Sequence, residues 1–100
     1  MSGTPSDQFP VLIERRLKMQ RAPDEALAEI VVEIGHPYWT EPGIEAACPV
    51  AIRGAVDRVN DIRGIDPMSA MKQAISFVET YLDHPAGDMK FFWPDGEAYE

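Results

Sequence analysis

The sequence predicts an α+β domain in which an antiparallel sheet of four to five strands carries one long helix on one face, in the order β-β-β-β-α-β. Apolar and polar residues alternate along much of the first half of the chain, as in half-buried strands. A later segment has apolar residues three or four apart, as in an amphipathic helix, and a short apolar run follows it. With 100 residues, we expect one domain over residues 9–96, a loose tail at 1–8 and a short acidic end at 97–100.

The first two strands are expected over residues 11–20 and 28–34, joined as a hairpin by turn-forming residues. Two registers are compatible with their alternation. One places Arg16 opposite Glu33, and the other places Glu14 opposite Glu33. We favour the first register because like charges directly opposite each other are unfavourable.

Three further strands are expected over residues 44–53, 57–63 and 89–93. Pro49 lies within the third strand and cannot donate a ladder hydrogen bond, so we expect an edge segment or a bulge there. If the fifth strand lies beside the first, the sheet has the order 5-1-2-3-4. Other strand orders stay open.

The helix is the most clearly marked element, and we expect it over residues 68–83. Asp66 suits the N-cap, Pro67 suits the first helical position, and Pro85 disfavours helical geometry just before it. The apolar stripe begins at Met68 and is expected to pack on the sheet. In the predicted core, one set of side chains packs against another: Met71, Ile75, Val78 and Leu82 against Leu17, Ile30, Val32 and Ile52.

Composition disfavours several classes of function. The net charge is −8, with 17 acidic and 9 basic residues and no basic stripe, so we expect neither nucleic-acid binding nor adsorption to anionic membranes. No apolar run approaches the ~20 residues that cross a bilayer. The one cysteine, Cys48, cannot form an intrachain disulfide, and the first residues do not resemble a signal peptide. A cytoplasmic protein is therefore expected.

Several short motifs resemble a small bacterial family known only as a domain of unknown function. These motifs are Cys48-Pro49, Ile52-Arg53-Gly54, Gly64-Ile65-Asp66, the helical pairs Ala70-Met71 and Ala74-Ile75, and Trp93 in the last strand. The similarity covers about residues 13–96 and implies a shared fold, but it brings no activity with it. The chain departs from the family's pattern at Pro67-Met68-Ser69, where an apolar-polar pair often follows the aspartate, and this departure leaves the cap intact.

Candidate catalytic and metal-binding residues are few. A nucleophilic Cys48 would need a neighbouring base, and a zinc site would need four ligands, whereas the sequence adds only His36 and His84 at uninformative spacings. We expect Cys48 to be a buried thiol, with no catalytic residue, no metal and no cofactor. Asp57 and Asp61 are interleaved with arginines and are read as part of a solvated face.

The turn-rich segment 35–43 holds the best candidate for a ligand site. Its residues His36, Tyr38 and Trp39 could line a pocket, since aromatic rings often contribute to binding. The alternative is that Trp39 folds back to fill one end of the core.

Two functions are carried forward from the sequence. The first is a non-enzymatic protein-interaction module that self-associates or binds another protein through the sheet face away from the helix. The residues expected on this interface are Val31, Ala47, Ala51 and Phe92. The second is a small-molecule-binding domain or an enzyme that uses the loop from His36 to Trp39, with Asp57 or Cys48.

Overall fold

The computed structural model describes residues 8–99 and confirms the α+β class. Within that range the chain forms eight strands and one helix. Their bounds are β1 (Val11–Gln20), β2 (Ala28–Gly35), β3 (Tyr38–Glu41), β4 (Glu45–Cys48), β5 (Val50–Arg53), β6 (Asp57–Arg58), β7 (Ile62–Gly64), α1 (Pro67–Asp83) and β8 (Lys90–Phe92).

The strands form two antiparallel sheets. The larger sheet has the order β6-β5-β2-β1-β8, and the smaller has the order β3-β4-β7. The larger order corresponds to 5-1-2-3-4, one of the orders that the sequence left open. β8, within the fifth predicted strand, pairs with β1, while β5 and β6, the end of the third and the start of the fourth predicted strand, follow β2. The second sheet was not predicted from the sequence.

Pro49 divides the predicted third strand, which was wrong as a single element. It separates β4 from β5, and these two strands belong to different sheets. Proline lacks the N–H that would continue a ladder, so each half pairs separately, while the Pro49 carbonyl accepts a hydrogen bond of 2.9 Å from the backbone N–H of Gly35. The predicted fourth strand likewise divides into β6 and β7. The segment 35–43, expected to be a connection, contains β3.

The favoured register of the β1–β2 hairpin was also wrong. Glu14 lies opposite Glu33, and Arg16 lies opposite Val31. Both carboxylates have cationic partners, one on the same strand and one on a third strand. Arg16 donates to Glu14 at 3.0 Å, and Arg53 on β5 donates to Glu33 at 2.9 Å. These pairs offset the repulsion on which the sequence argument relied.

The ends of α1 confirm the predicted signals. The Asp66 carboxylate accepts a hydrogen bond of 2.7 Å from the backbone N–H of Ser69, and Pro67 occupies the first turn. At the other end, the backbone N–H of His84 donates to the Thr80 carbonyl at 3.1 Å. The helix therefore stops immediately before Pro85, as expected.

The helix is rotated relative to the predicted orientation. Its buried positions are Ala70, Ala74, Val78 and Leu82. The prediction was wrong for Met68 and Ile75, which are 82% and 36% exposed. Gly64 on β7 lies so close to α1 that only small helical side chains fit there, which turns the alanines toward the strands.

The core lies between α1 and the two sheets, with α1 packed mainly against β7 and β4 and its later turns over the larger sheet. The sheet residues predicted for this core are all buried: Leu17, Ile30, Val32 and Ile52. No helix within residues 8–99 has the length and apolarity that a membrane span requires.

Most of the predicted N-terminal tail, residues 1–7, lies outside the described residues, as does Glu100. The predicted acidic end, where it is described, is joined to β8 by backbone contacts. Ala98 forms a β-bridge with Phe92, and the backbone N–H of Tyr99 donates to the Phe91 carbonyl at 3.0 Å.

Candidate functional site

The first half of β1 has a free edge. β8 pairs with β1 only along Lys18, Met19 and Gln20. Within residues 8–99, no strand pairs with that side of β1 over residues 11–17. A strand edge of this kind presents outward-pointing N–H and C=O groups on which another strand can pair.

An apolar groove of about 200 Å³ runs beside this edge, between the larger sheet and α1. The sheet side is formed by Ile13, Val32 and Ile34, and the helix side by Ile75 and Val78. Ile13 and Ile75 are the exposed members of this set. A side chain that enters the groove would therefore cover apolar surface that the described chain leaves in contact with water.

The free edge carries three consecutive apolar residues. Val11, Leu12 and Ile13 are 41–46% exposed, although successive residues of a strand point to opposite faces and one face is expected to be polar. The register shifts between Val11 and Ile13 where β1 pairs with β2. Sequence reasoning missed this site, and its signal was the break in alternation at these three positions.

An aromatic cluster contacts the free edge of β1 at Arg15. The Arg15 guanidinium donates to the Tyr99 hydroxyl at 2.9 Å and lies 5.5 Å from the centroid of the Trp93 ring. The two rings lie 5.0 Å apart. This cation–π cluster holds the chain after β8 against β1.

The aromatic loop predicted as a ligand site does not form a common pocket. Tyr38 and Trp39 are adjacent in β3, so their side chains point to opposite faces of the smaller sheet. Both are nearly half exposed, so Trp39 does not fill the core either. His36 is exposed just before the strand. The role of these three residues in binding stays a prediction.

Tyr38 instead belongs to a polar network with Asp61 and Arg58. Its hydroxyl donates to the Asp61 carboxylate, and this hydrogen bond raises the pKa of Tyr38 above its ordinary value. Arg58 pairs with the same carboxylate at 2.7 Å. The Arg58 guanidinium also lies 4.9 Å from the centroid of the Phe9 ring, with Arg53 at 5.7 Å from the same ring.

Phe9 thus lies over part of the sheet face that was expected to be an uncovered interface. Ala47 and Ala51 are fully buried, so the expectation that they lie on an open apolar face is wrong for these two. Ala51 pairs with Arg58, beneath the residues that hold the Phe9 ring. Val31 and Phe92 are half-buried, and their role at an interface stays a prediction.

The Cys48 thiol is buried and donates a weak hydrogen bond to the Gly35 carbonyl at 3.4 Å. Burial raises the pKa of Cys48 from 9.0 to about 11, so it is a neutral thiol at pH 7 and a poor nucleophile. Asp57, with a left-handed φ of 57°, accepts a hydrogen bond of 3.1 Å from the Gly54 N–H in a turn. No three His, Cys, Asp or Glu side chains within residues 8–99 are grouped so that they could hold a metal ion.

The chain matches no family model, no curated protein and no solved structure. The resemblance carried by Cys48-Pro49 and by Gly64-Ile65-Asp66 therefore stays a prediction.

Proposed function

We propose that this chain is a non-enzymatic protein-interaction module that binds an extended polypeptide segment along the free edge of β1. The observation that carries the proposal is the edge of β1 over residues 11–17 on which no strand pairs within residues 8–99, beside an exposed apolar groove. An added strand would satisfy its own backbone groups and those of the edge at the same time.

The groove supplies a basis for selectivity. Alternate side chains of an added strand point toward the same face, so every second residue of the partner would lie toward α1. Ile75 and Val78 favour an apolar residue at those positions, while Arg15 and Glu79 line the same groove and can pair with charges that flank it. The bound segment is therefore expected to alternate between apolar and polar residues.

The two pKa shifts do not prepare a side chain for acid–base catalysis near pH 7. Tyr38 and Cys48 are protonated at that pH at their ordinary pKa values, and both shifts move the pKa further above 7. The alternative of a ligand pocket between His36 and Trp39 gains no support from the geometry of β3. A cytoplasmic location is part of the proposal, in keeping with a single cysteine held as a free thiol.

The proposal is tested by selecting random displayed peptides on the wild-type protein, with counter-selection on Ile13→Lys. A lysine at an edge position that faces the groove disfavours strand pairing. We expect selected peptides to alternate in polarity and to shift the amide NMR signals of residues 11–16 and of Ile75. The matched control is Ile44→Lys, at an exposed apolar residue in the turn between β3 and β4, which should bind as the wild type does. Peptides that bind Ile13→Lys equally well would overturn the proposal, as would the failure to enrich any peptide on wild type at a concentration at which it sediments as a monomer.

A further inference from the structure

We infer that the strand received by the free edge of β1 is the same strand of a second copy of this chain. The inference rests on the proposed function, since it names the partner at the same edge. The two β1 strands pair antiparallel about a two-fold axis, which joins the two five-stranded sheets into one of ten strands. Each copy then gives and receives the same surface.

β1 has the properties that the proposed occupant needs. It is already extended, so little ordering cost accompanies its pairing. Ile13 faces the groove, and it is exposed, as is Val11. A second copy therefore brings apolar side chains to the apolar surface and at the same time covers its own.

The segment that precedes the described residues is a poor competitor for the groove. Residues 1–7 include one large apolar side chain, that of Met1, and otherwise consist of Ser, Gly, Thr, Pro and Asp. Such a sequence does not supply the alternating apolar side chains that the groove selects.

The groove also selects the register of the pair. Directly opposite residues of antiparallel strands share a face, so a symmetric pair is centred on one residue. Centring on Ile13 places the two Ile13 side chains opposite each other beside the groove and uses only residues 11–15, which β8 leaves free. Centring on Glu14 places two carboxylates together and sets Ile13 opposite Arg15, so less apolar surface is paired.

Sedimentation of the full chain tests the state of association. We expect wild type to be a dimer at high micromolar concentration and Ile13→Lys to dissociate at least ~10-fold more readily, a change of about 1.4 kcal/mol. Ile44→Lys is the matched control and should remain a dimer. Circular dichroism and amide spectra test whether each variant is folded. We expect Ile13→Lys to fold, since Ile13 lies on the exposed part of β1.

Cysteine cross-linking tests the register without relying on a disruptive variant. In either type of antiparallel pair, opposite Cα atoms lie about 4.5 or 5.5 Å apart, within disulfide range. Ile13→Cys should therefore oxidise to a covalent dimer, whereas Glu14→Cys should do so far more slowly. Wild type, whose Cys48 is buried, should not cross-link.

The outcomes separate this inference from the proposed function. A monomeric wild type overturns the second copy as partner, while the peptide selection still tests whether the edge of β1 binds an extended segment. A dimer that survives Ile13→Lys and is dissociated by Phe92→Glu also overturns it, and places self-association on the other face of the sheet. Efficient cross-linking through Glu14→Cys and not Ile13→Cys overturns the register.

Discussion

A Cβ atom on Gly64 would lie 2.8 Å from the Cα atom of Ala70 and closer still to its backbone nitrogen. The next nearest atom is the carbonyl carbon of Ser69, at 2.7 Å. All three are backbone atoms, so no side-chain rotation can make room. The contact between β7 and the start of α1 therefore requires glycine, and it fixes which face of the helix meets the strands.

We expect Gly64→Ala to lower the free energy of unfolding by about 1–3 kcal/mol, the usual cost of overpacking a close contact. Urea unfolding followed by circular dichroism measures it. The control is Arg63→Ala on the same strand, which removes only the exposed ion pair with Glu45 and should cost less than about 1 kcal/mol. A Gly64→Ala variant as stable as wild type would show that α1 can move away from β7.

The rotated helix predicts unequal costs along its apolar positions. Leu82→Ala should destabilise by about 2–5 kcal/mol, because Leu82 is buried in the core. Met68→Ala should change the stability by less than about 0.5 kcal/mol, since that side chain is almost fully exposed. Equal losses at the two positions would restore the orientation predicted from the sequence.

The cap of α1 can be tested by separating its hydrogen bond from its charge. Asp66→Ala should cost about 0.5–2 kcal/mol, because the Ser69 N–H loses its acceptor. Asp66→Asn keeps an acceptor oxygen at the same place and should cost only about a few tenths of a kcal/mol. If both variants lose the same stability in urea, the carboxylate charge, and not the hydrogen bond, is what matters.

The sequence predicted the ends of α1 because these depend on local signals. It left several strand orders open, because the alternation of apolar and polar residues does not say which strands are neighbours. Asp66 and Pro85 act on their immediate neighbours, and both predictions were confirmed. The face of the helix depends on Gly64, which approaches α1 only in the folded chain. Pro49 was recognised as a break, but its sequence context does not say that β4 and β5 would join different sheets.

The free edge of β1 could not be predicted from the sequence either, because it depends on how the strands are arranged in the folded chain. The triplet Val11-Leu12-Ile13 is visible in the sequence, but it reads as the start of a buried strand. Only the arrangement of β8, which reaches no further along β1 than Lys18, leaves these residues without a neighbour on that side within the described chain. The length of β8 and the turn at Pro94 set that boundary, and the alternation of apolar and polar residues predicts neither.

The register of the hairpin yields a prediction on coupled charges. Glu14 and Glu33 lie opposite each other, and Arg53 offsets their repulsion from a third strand. We expect Arg53→Met to cost about 1–3 kcal/mol, because a half-buried carboxylate loses a charged partner. Glu14→Gln should be nearly neutral alone but should recover up to ~1 kcal/mol in the Arg53→Met background.

A double-mutant cycle in urea measures this coupling between Glu14 and Arg53. Glu29→Gln is the matched control, since Glu29 lies opposite Lys18 and not opposite a carboxylate. Glu29→Gln should restore no stability in the Arg53→Met background. Additive effects of Glu14→Gln and Arg53→Met would show that the two carboxylates do not repel each other in the folded chain.

The buried thiol predicts a dependence of stability on pH. In the folded chain the pKa of Cys48 is about 11, above its ordinary value of 9.0. Between these two values the folded state retains a proton that the unfolded state releases. Its contribution to stability is therefore complete below pH 9 and is lost as the pH rises toward 11. Tyr38, whose pKa is also raised, titrates in the same direction, so the thiol has to be isolated by comparison.

We expect the free energy of unfolding of wild type to fall more steeply between pH 9 and 11 than that of Cys48→Ala, whatever their difference at pH 7. Alkylation gives a second readout. At pH 8 the native thiol should react only in molecules that have opened, so mild urea should accelerate its labelling in proportion to the unfolded fraction. Rapid labelling of the folded protein, together with equal pH slopes for the two chains, would show that the Cys48 thiolate is reached without unfolding and that burial does not raise its pKa.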